Sequence, residues 1–272
     1  MNQPDLMATA TAVIRAEGIS KSFGSITKHI AVQPTDLMFP HGSMTGIVGE
    51  SGSGKSTLSR ILSGLTTPSS GAVFYNDIEL SGALRSRETR TLMRKTVQFV
   101  GQDTTSSFDP RHTMRESLAR PARNLLGWSR STASGEVDDI VSKLGLPVEL
   151  VDRLPHQVSG GQRQRMALAR GLITRPDALI CDEVVSALDV SVQAVVLNHL
   201  KRICRDRGAA LIFVSHGLPA TAFVSENVKV MLRGEIVEDG PVEQVLHHPV
   251  HPYTASLLAA YGATDVVAEK SA

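Results

Sequence analysis

Cysteine, net charge and long hydrophobic stretches are all scarce in this 272-residue chain. Cys181 and Cys204 are its two cysteines, too few for a disulfide framework or a thiolate zinc site, and they suit a reducing compartment. Lys plus Arg number 28 against 27 Asp plus Glu, a formal net charge of +1. That near-balance argues against a generally basic, nucleic-acid-binding surface. One uncharged run, residues 208–225, reaches eighteen residues, the lower limit for a spanning helix. Ser215, His216, Gly217 and Pro219 interrupt it, so it reads as a buried strand, a turn and a helix. No segment is expected to span a membrane. Residues 1–11 hold Asp5 and no basic residue, which speaks against a secretory signal. What is present, 42% apolar and 20% charged residues, describes a globular protein with a core of ordinary size. The length fits one large domain or a domain with a sizeable insertion.

Residues 12–16 and 30–39 carry β-branched or alternating apolar residues, punctuated by Gly18, Pro40 and Gly42. A short apolar run at 44–48 leads into a glycine-rich turn, residues 55–65 have helical spacing, and 71–80 return to strand character. From 85 to about 174 polar helix formers dominate, with one main extended run at 97–101. Val141, Leu144 and Leu146 suit one amphipathic helix there, and Met166, Ala169, Leu172 and Ile173 another. This stretch reads as a largely helical insertion. Strands are then expected at 178–181 and 211–214, separated by a helix with Val192, Val196, Leu200 and Ile203 on one face. Residues 228–232 and 235–237 suit a hairpin over Arg233 and Gly234, and 264–272 a frayed tail. Strands separated by helices imply a mainly parallel sheet with both faces covered.

Three segments carry chemistry. Gly49-Glu50-Ser51-Gly52-Ser53-Gly54-Lys55-Ser56-Thr57 fits the G-x-x-x-x-G-K-[ST] pattern, with an apolar strand before it and a helix after. The glycines let backbone N–H groups curl around a triphosphate, and the helix start adds its positive dipole end. Lys55 should bridge the β- and γ-phosphates, and the Ser56 hydroxyl should bind Mg²⁺. Asp182 and Glu183 end a buried strand; beside a phosphate loop, Asp182 suits the metal and Glu183 the attacking water. Alone, such a pair is simply a strand reaching solvent. Ser159-Gly160-Gly161-Gln162 opens a helix twenty-three positions before Asp182. It offers N–H groups and a hydroxyl to an anion, or equally a plain helix cap.

Phosphate loop, S-G-G-Q and D-E in this order resemble the ATP-binding subunit of an ABC transporter, over nearly the whole chain. The resemblance implies an α/β fold: a P-loop NTPase core with a mainly parallel sheet, an antiparallel β subdomain and a helical insertion. It divides the chain into a nucleotide-binding core at 12–84 and 175–246, a helical subdomain at 85–174 and a C-terminal extension at 247–272. Phe23 matches the aromatic that stacks on adenine, Gln102 the Q-loop glutamine that contacts Mg²⁺ and the attacking water. Asp189, in Ser186-Ala187-Leu188-Asp189, matches the D-loop, and His216 the switch histidine that reaches the γ-phosphate. Each has a plainer reading: strand aromatic, polar strand end, helix N-cap and structural histidine.

The tail His247-His248-Pro249-Val250-His251-Pro252-Tyr253-Thr254 is similar to a hallmark of ATPases that serve peptide and nickel uptake systems. Asp109-Pro110-Arg111 and Gln162-Arg163-Gln164-Arg165 resemble the same subgroup. The tail histidines could instead bind a metal, but the prolines explain the segment as a rigid turn. Arg85, Arg87, Arg90, Arg94 and Lys95 read as a solvated helix face. Val184-Val185 replace the usual Pro-Thr after the glutamate, which bears on the stiffness of that turn. Gly217 replaces an acid, and Thr104-Thr105 a Pro-aromatic pair. No cysteine-bearing tail follows, so no iron–sulfur cluster is expected.

The resemblance thus implies a Mg²⁺-dependent ATPase that pairs head to tail with a second ATPase subunit, a copy or a paralogue. It would act on transmembrane permease subunits at the cytoplasmic face of the membrane and indirectly serve an extracytoplasmic binding protein, with no nucleic acid involved. The alternatives are a soluble ABC ATPase acting on ribosomes or DNA and a regulatory nucleotide-binding module without turnover.

Overall fold

The structure, a computed structural model, describes residues 12–24, 28–83, 86–103, 107–186 and 188–260. In chain order the first part comprises β1 (Ala12–Phe23), β2 (His29–Pro40), β3 (Met44–Val48), α1 (Lys55–Leu62), β4 (Ser70–Tyr75) and β5 (Ile78–Glu79). α2 (Leu80–Ala83), α3 (Arg87–Thr96), β6 (Val97–Val100), α4 (Met114–Leu126), α5 (Arg130–Lys143) and α6 (Gly160–Leu172) follow. The last part holds β7 (Ala178–Asp182), α7 (Val190–Arg207), β8 (Ala210–Ser215), α8 (Leu218–Val224), β9 (Asn227–Leu232), β10 (Glu235–Pro241), α9 (Val242–His247) and α10 (Pro252–Ala260).

Four strands make an antiparallel sheet in the order β2-β1-β4-β5, and six make a second sheet in the order β10-β9-β3-β8-β7-β6. All neighbours from β9 to β6 are parallel, and only β10 runs antiparallel at the edge. The central strands are apolar without a break because both faces are covered. Ala178, Ile180, Ala210, Ile212 and Val214 face a core shared with α1 and the antiparallel sheet. Their neighbours Leu179, Cys181, Leu211 and Phe213 face the core built with α4 to α7. Period-two alternation on buried strands thus sorts side chains between two cores.

Several expectations need correction. Residues 208–225 do form a strand, a turn and a helix, and the 228–237 hairpin is present but longer. The strand expected at 71–80 breaks at Asn76 and Asp77, which take positive φ of 45° and 65°, and Leu80 already belongs to α2. Leu144 and Leu146 are buried but lie past the end of α5. Leu144 caps that helix, and Gly145 turns the chain at φ 69°. Burial there comes from a folded-back turn, a pattern that spacing alone mimics. The extended run expected at 97–101 is present as β6, and it forms an edge of the six-stranded sheet. Arg85, Thr104, Thr105, Ala187 and the tail 264–272 lie outside the described residues.

Candidate active site

β3 ends at the middle of the parallel sheet, and residues 49–54 turn the chain into α1. Gly49 and Gly54 take φ of 154° and 104°. A Cβ on Gly49 would stand 2.1 Å from the Met231 carbonyl oxygen, and one on Gly54 2.1 Å from that of Ala31. Only glycine lets the loop pass so close to β9 and β2. Gly54 is also the N-cap of α1 and provides no side-chain cap, which leaves the first-turn N–H groups without a capping side chain, the situation in which an anion is favoured. Lys55 is 5% exposed. Its ammonium donates to the carbonyls of Gly49 and Glu50 at 2.7 Å each and to Ser53 Oγ at 3.4 Å. Burial lowers its pKa, against the opposing pull of Glu183, Asp182 and Glu50. Ser51, Gly52 and Ser56 are exposed and Thr57 half-buried along the same turn.

Asp182, buried at the end of β7, accepts hydrogen bonds from Ser56 Oγ and Ser59 Oγ, each at 3.3 Å. Burial pushes its carboxyl up, while the two hydroxyls pull it back. Ser59 was not anticipated, although its i, i+3 spacing from Ser56 puts both on one face of α1. Replacing Ser59 by Ala should cost about 1 kcal/mol of stability, read from urea unfolding, by stripping one donor from a buried carboxylate.

Glu183 takes φ 55°, a conformation that costs a side-chain-bearing residue about 1–3 kcal/mol. Its N–H donates to the Val214 carbonyl at 2.9 Å. Its own carbonyl accepts from Ser186 Oγ at 2.9 Å and Gln164 Nε2 at 3.5 Å. Its Oε1 stands 3.5 Å from His216 Nδ1. Parallel pairing explains the meeting: Asp182 is level with Val214, so Glu183 and His216 leave adjacent strands at the same end. Val184 and Val185 are buried, so packing and the Leu188 N–H bond to Val185 O at 3.0 Å hold this turn without a proline. Gln164 is buried and joins the glutamate through the helix that starts at the S-G-G-Q segment, a link that spacing did not reveal.

The remaining residues lie around this centre. Gln102 is exposed in the bend beyond β6; Val100 pairs with Cys181, so Gln102 sits one strand over from Asp182. Phe23 ends β1 with 47% of its surface exposed, and Lys21 Nζ lies 5.3 Å from its ring centre. Ser159 and Gln162 close a reciprocal capping box, Gln162 N–H to Ser159 Oγ at 3.2 Å and Ser159 N–H to Gln162 Oε1 at 2.9 Å. Gly160 is exposed, whereas a Cβ on Gly161 would stand 2.8 Å from Leu188. Asp189 occupies the N-cap of α7, yet its exposed carboxylate makes no cap bond.

A glycine loop closed by a lysine, a helix start without a side-chain cap and a buried acid of the same sheet bonded to that helix define a nucleoside-triphosphate site of the P-loop kind. The sequence pattern of the ABC transporter family matches residues 32–186. The chain belongs to that family, and within it to the ATP-hydrolysing cassettes. It is 38% identical over 247 residues to the oligopeptide transport ATP-binding protein OppF of Lactococcus lactis subsp. lactis, covering 90% of this chain and 76% of the relative. It is 41% identical over 242 residues to OppF of Escherichia coli K12, covering 89% and 72%. Among solved structures it is similar to the dimeric bacterial ABC transporter cassette MJ0796, with a TM-score of 0.78, 25% identity and coverage of 84% of this chain and 98% of that one. Among the described residues no helix is long and apolar enough to cross a membrane.

Proposed function

We propose that this chain is the ATP-hydrolysing subunit that powers an importer for peptides, or for nickel and metal chelates, at the cytoplasmic face of a cell membrane. One observation carries the reading: buried Asp182 is bonded to α1 directly behind the phosphate loop, with Glu183 and His216 side by side next to it. The peptide assignment is supported by the relatives named for oligopeptide transport and by the tail with Tyr253. In this reading residues 12–84 and 175–246 bind nucleotide, 85–174 carry Gln102 and the S-G-G-Q segment, and 247–272 form the C-terminal extension.

Residues 49–57 hold the phosphates of ATP, with Gly49, Ser51, Gly52, Gly54 and Thr57 shaping the cradle, Lys55 countering the β- and γ-charges and Phe23 stacking on adenine. Ser56 and Asp182 fit Mg²⁺: both are hard oxygen donors, 3.3 Å apart, and a divalent cation would offset the cost of the buried carboxylate. Gln102 would complete that set. When bound, Mg²⁺ neutralises charge on the phosphate oxygens. Glu183 orients water toward the γ-phosphorus and accepts its proton as the bond to the β–γ bridging oxygen breaks, leaving ADP and phosphate. His216 holds the Glu183 carboxylate in place and reaches toward the γ-phosphate. Ser159, Gly160, Gly161, Gln162 and Asp189 serve the ATP of the second ATPase subunit, a copy or a paralogue, in a head-to-tail pair. The exposed positions of Ser159, Gly160 and Asp189 suit such an arrangement, and ATP then biases closure of the pair.

The permease contact is assigned to a groove between β6 and α4 lined by Leu65, Arg94, Phe99, Phe108, Arg120 and Arg170. Leu65 is 63% exposed there, and the Arg170 guanidinium lies 4.4 Å over the Phe108 ring. The test is capture from detergent-solubilised native membranes with a tagged Glu183→Gln chain and ATP. Recovery of two permease subunits is the expected result. Ribosomes or DNA-associated proteins with no membrane subunit would replace the importer by a soluble ABC ATPase. An extracytoplasmic binding protein is expected only through the permease.

A further inference from the structure

The tail has no part in the reaction described above, yet it reaches the phosphate loop. The N–H of Glu50 donates to Tyr253 Oη at 2.9 Å, a contact spanning 203 positions of sequence. That N–H belongs to the same peptide unit as the Gly49 carbonyl, which accepts from Lys55 Nζ at 2.7 Å. A trans peptide is planar, with its N–H and C=O pointing in opposite directions. One rigid plate therefore carries Tyr253 on one side and Lys55 on the other.

The tail is itself held in place. Glu238 accepts from the N–H groups of Val250 and His251 at 2.9 and 3.0 Å. Burial alone would raise its carboxyl, but the bonds from these two N–H groups hold it below the ordinary value. His251 Nδ1 accepts from the Tyr253 N–H at 3.1 Å, which fixes the start of α10. Leu257 and Leu258 are buried in one cluster with Val48, the residue just before the loop. Pro249 and Pro252 restrict the backbone between these anchors. At the other end of the loop turn, the Ser53 carbonyl accepts from the Gly234 N–H at 2.8 Å. The turn from Glu50 to Ser53 is thus pinned at one end by Tyr253 and at the other by Gly234.

We propose that Tyr253 is a positioning residue for Lys55, acting through the Gly49–Glu50 peptide plane. The proposal rests on the reading that Lys55 grips the phosphates of ATP. It gives the His-Pro-Val-His-Pro-Tyr segment a function, which is to present one phenol to the phosphate loop. Lys55 meets the phosphates in both the bound and the reacting complex, so loss of the phenol should weaken ATP binding and leave the chemical step intact.

The test compares the full-length chain with Tyr253→Phe, and with Val250→Ala as a control on an 81% exposed residue of the same segment. The readouts are equilibrium ATP binding with and without Mg²⁺, amide hydrogen exchange at Glu50 and thermal unfolding. Tyr253→Phe should bind ATP about three- to tenfold more weakly, the range expected for one lost hydrogen bond. Exchange of the Glu50 amide should quicken at least about tenfold, with the unfolding temperature lowered by no more than about 4 °C and exchange within α10 unchanged. Val250→Ala should change none of the three. Unaltered ATP affinity and Glu50 exchange in Tyr253→Phe would overturn the proposal. So would a lowered unfolding temperature with faster exchange throughout α10, which would make Tyr253 a fastener of the tail instead. Failure of the unaltered chain to bind ATP would strike the underlying site reading, a separate result from either of these.

Discussion

Glu183→Gln is expected to lower the turnover number for ATP hydrolysis about a hundred- to ten-thousandfold, the range for removal of a positioned general base. ATP affinity should stay within about threefold, because the amide keeps the shape of the carboxylate and its reach to His216. The change removes the ability to accept a proton and leaves the turn intact: Glu183 is fixed by backbone bonds to Val214 and Ser186, which do not involve its carboxylate. Stability should therefore move by no more than about 0.5 kcal/mol. The measurement is phosphate release by the assembled transporter under saturating ATP, with binding measured separately. Retention of more than a tenth of the activity would shift the proton-accepting role away from Glu183.

Gly54→Ala is expected to damage stability and ATP binding together. The new Cβ would lie 2.1 Å from the Ala31 carbonyl oxygen and 2.8 Å from Met231 Cε, at φ 104°. The carbonyl belongs to a paired strand and cannot swing aside, so β2 and the start of α1 must separate. A loss of at least about 3 kcal/mol follows from overlap added to backbone strain, or roughly 6–12 °C in Tm for a chain of this size. Gly127→Ala separates the two causes. Gly127 has φ 70° with nothing within 4 Å of its added Cβ, so strain alone applies and the loss should be about 1–2 kcal/mol. Equal losses from the two changes would refute the steric account of the loop. The proportions are read from calorimetry of the two variants, and nucleotide binding should survive only in Gly127→Ala.

The legible residues share a property. Gly49, Gly54, Lys55 and Ser56 act through the local backbone, in which a strand, a glycine turn and a helix start are consecutive in sequence, so spacing alone reveals them. Asp182 and Glu183 were legible because an apolar strand ending in two acids needs a reason beside a phosphate loop. Ser59, Gln164 and Tyr253 were not, and the causes differ. Ser59 looks like any helix serine until β7 brings Asp182 against it. Gln164 sits in a polar stretch whose other members half-face solvent, so nothing in the pattern marks it as buried. Tyr253 was noticed as part of a motif, but its partner is a backbone N–H, which no side-chain pattern can encode. The misplaced residues Leu144 and Leu146 teach the reverse: helical spacing continued through them, while a left-handed glycine had already turned the chain.

The kind of protein this is could be read from the order of residues. Motif order and the alternation of strands with helices are one-dimensional properties, and they already implied a P-loop α/β fold and ATP chemistry. Which ends meet is set by the packed fold. Parallel pairing of β7 with β8 puts Glu183 beside His216, and the return of the tail sets Tyr253 against Glu50. Such contacts depend on strand order and register, which arise from burying many side chains at once. No short stretch of residues carries that information, because the free energy that selects the arrangement belongs to the whole core.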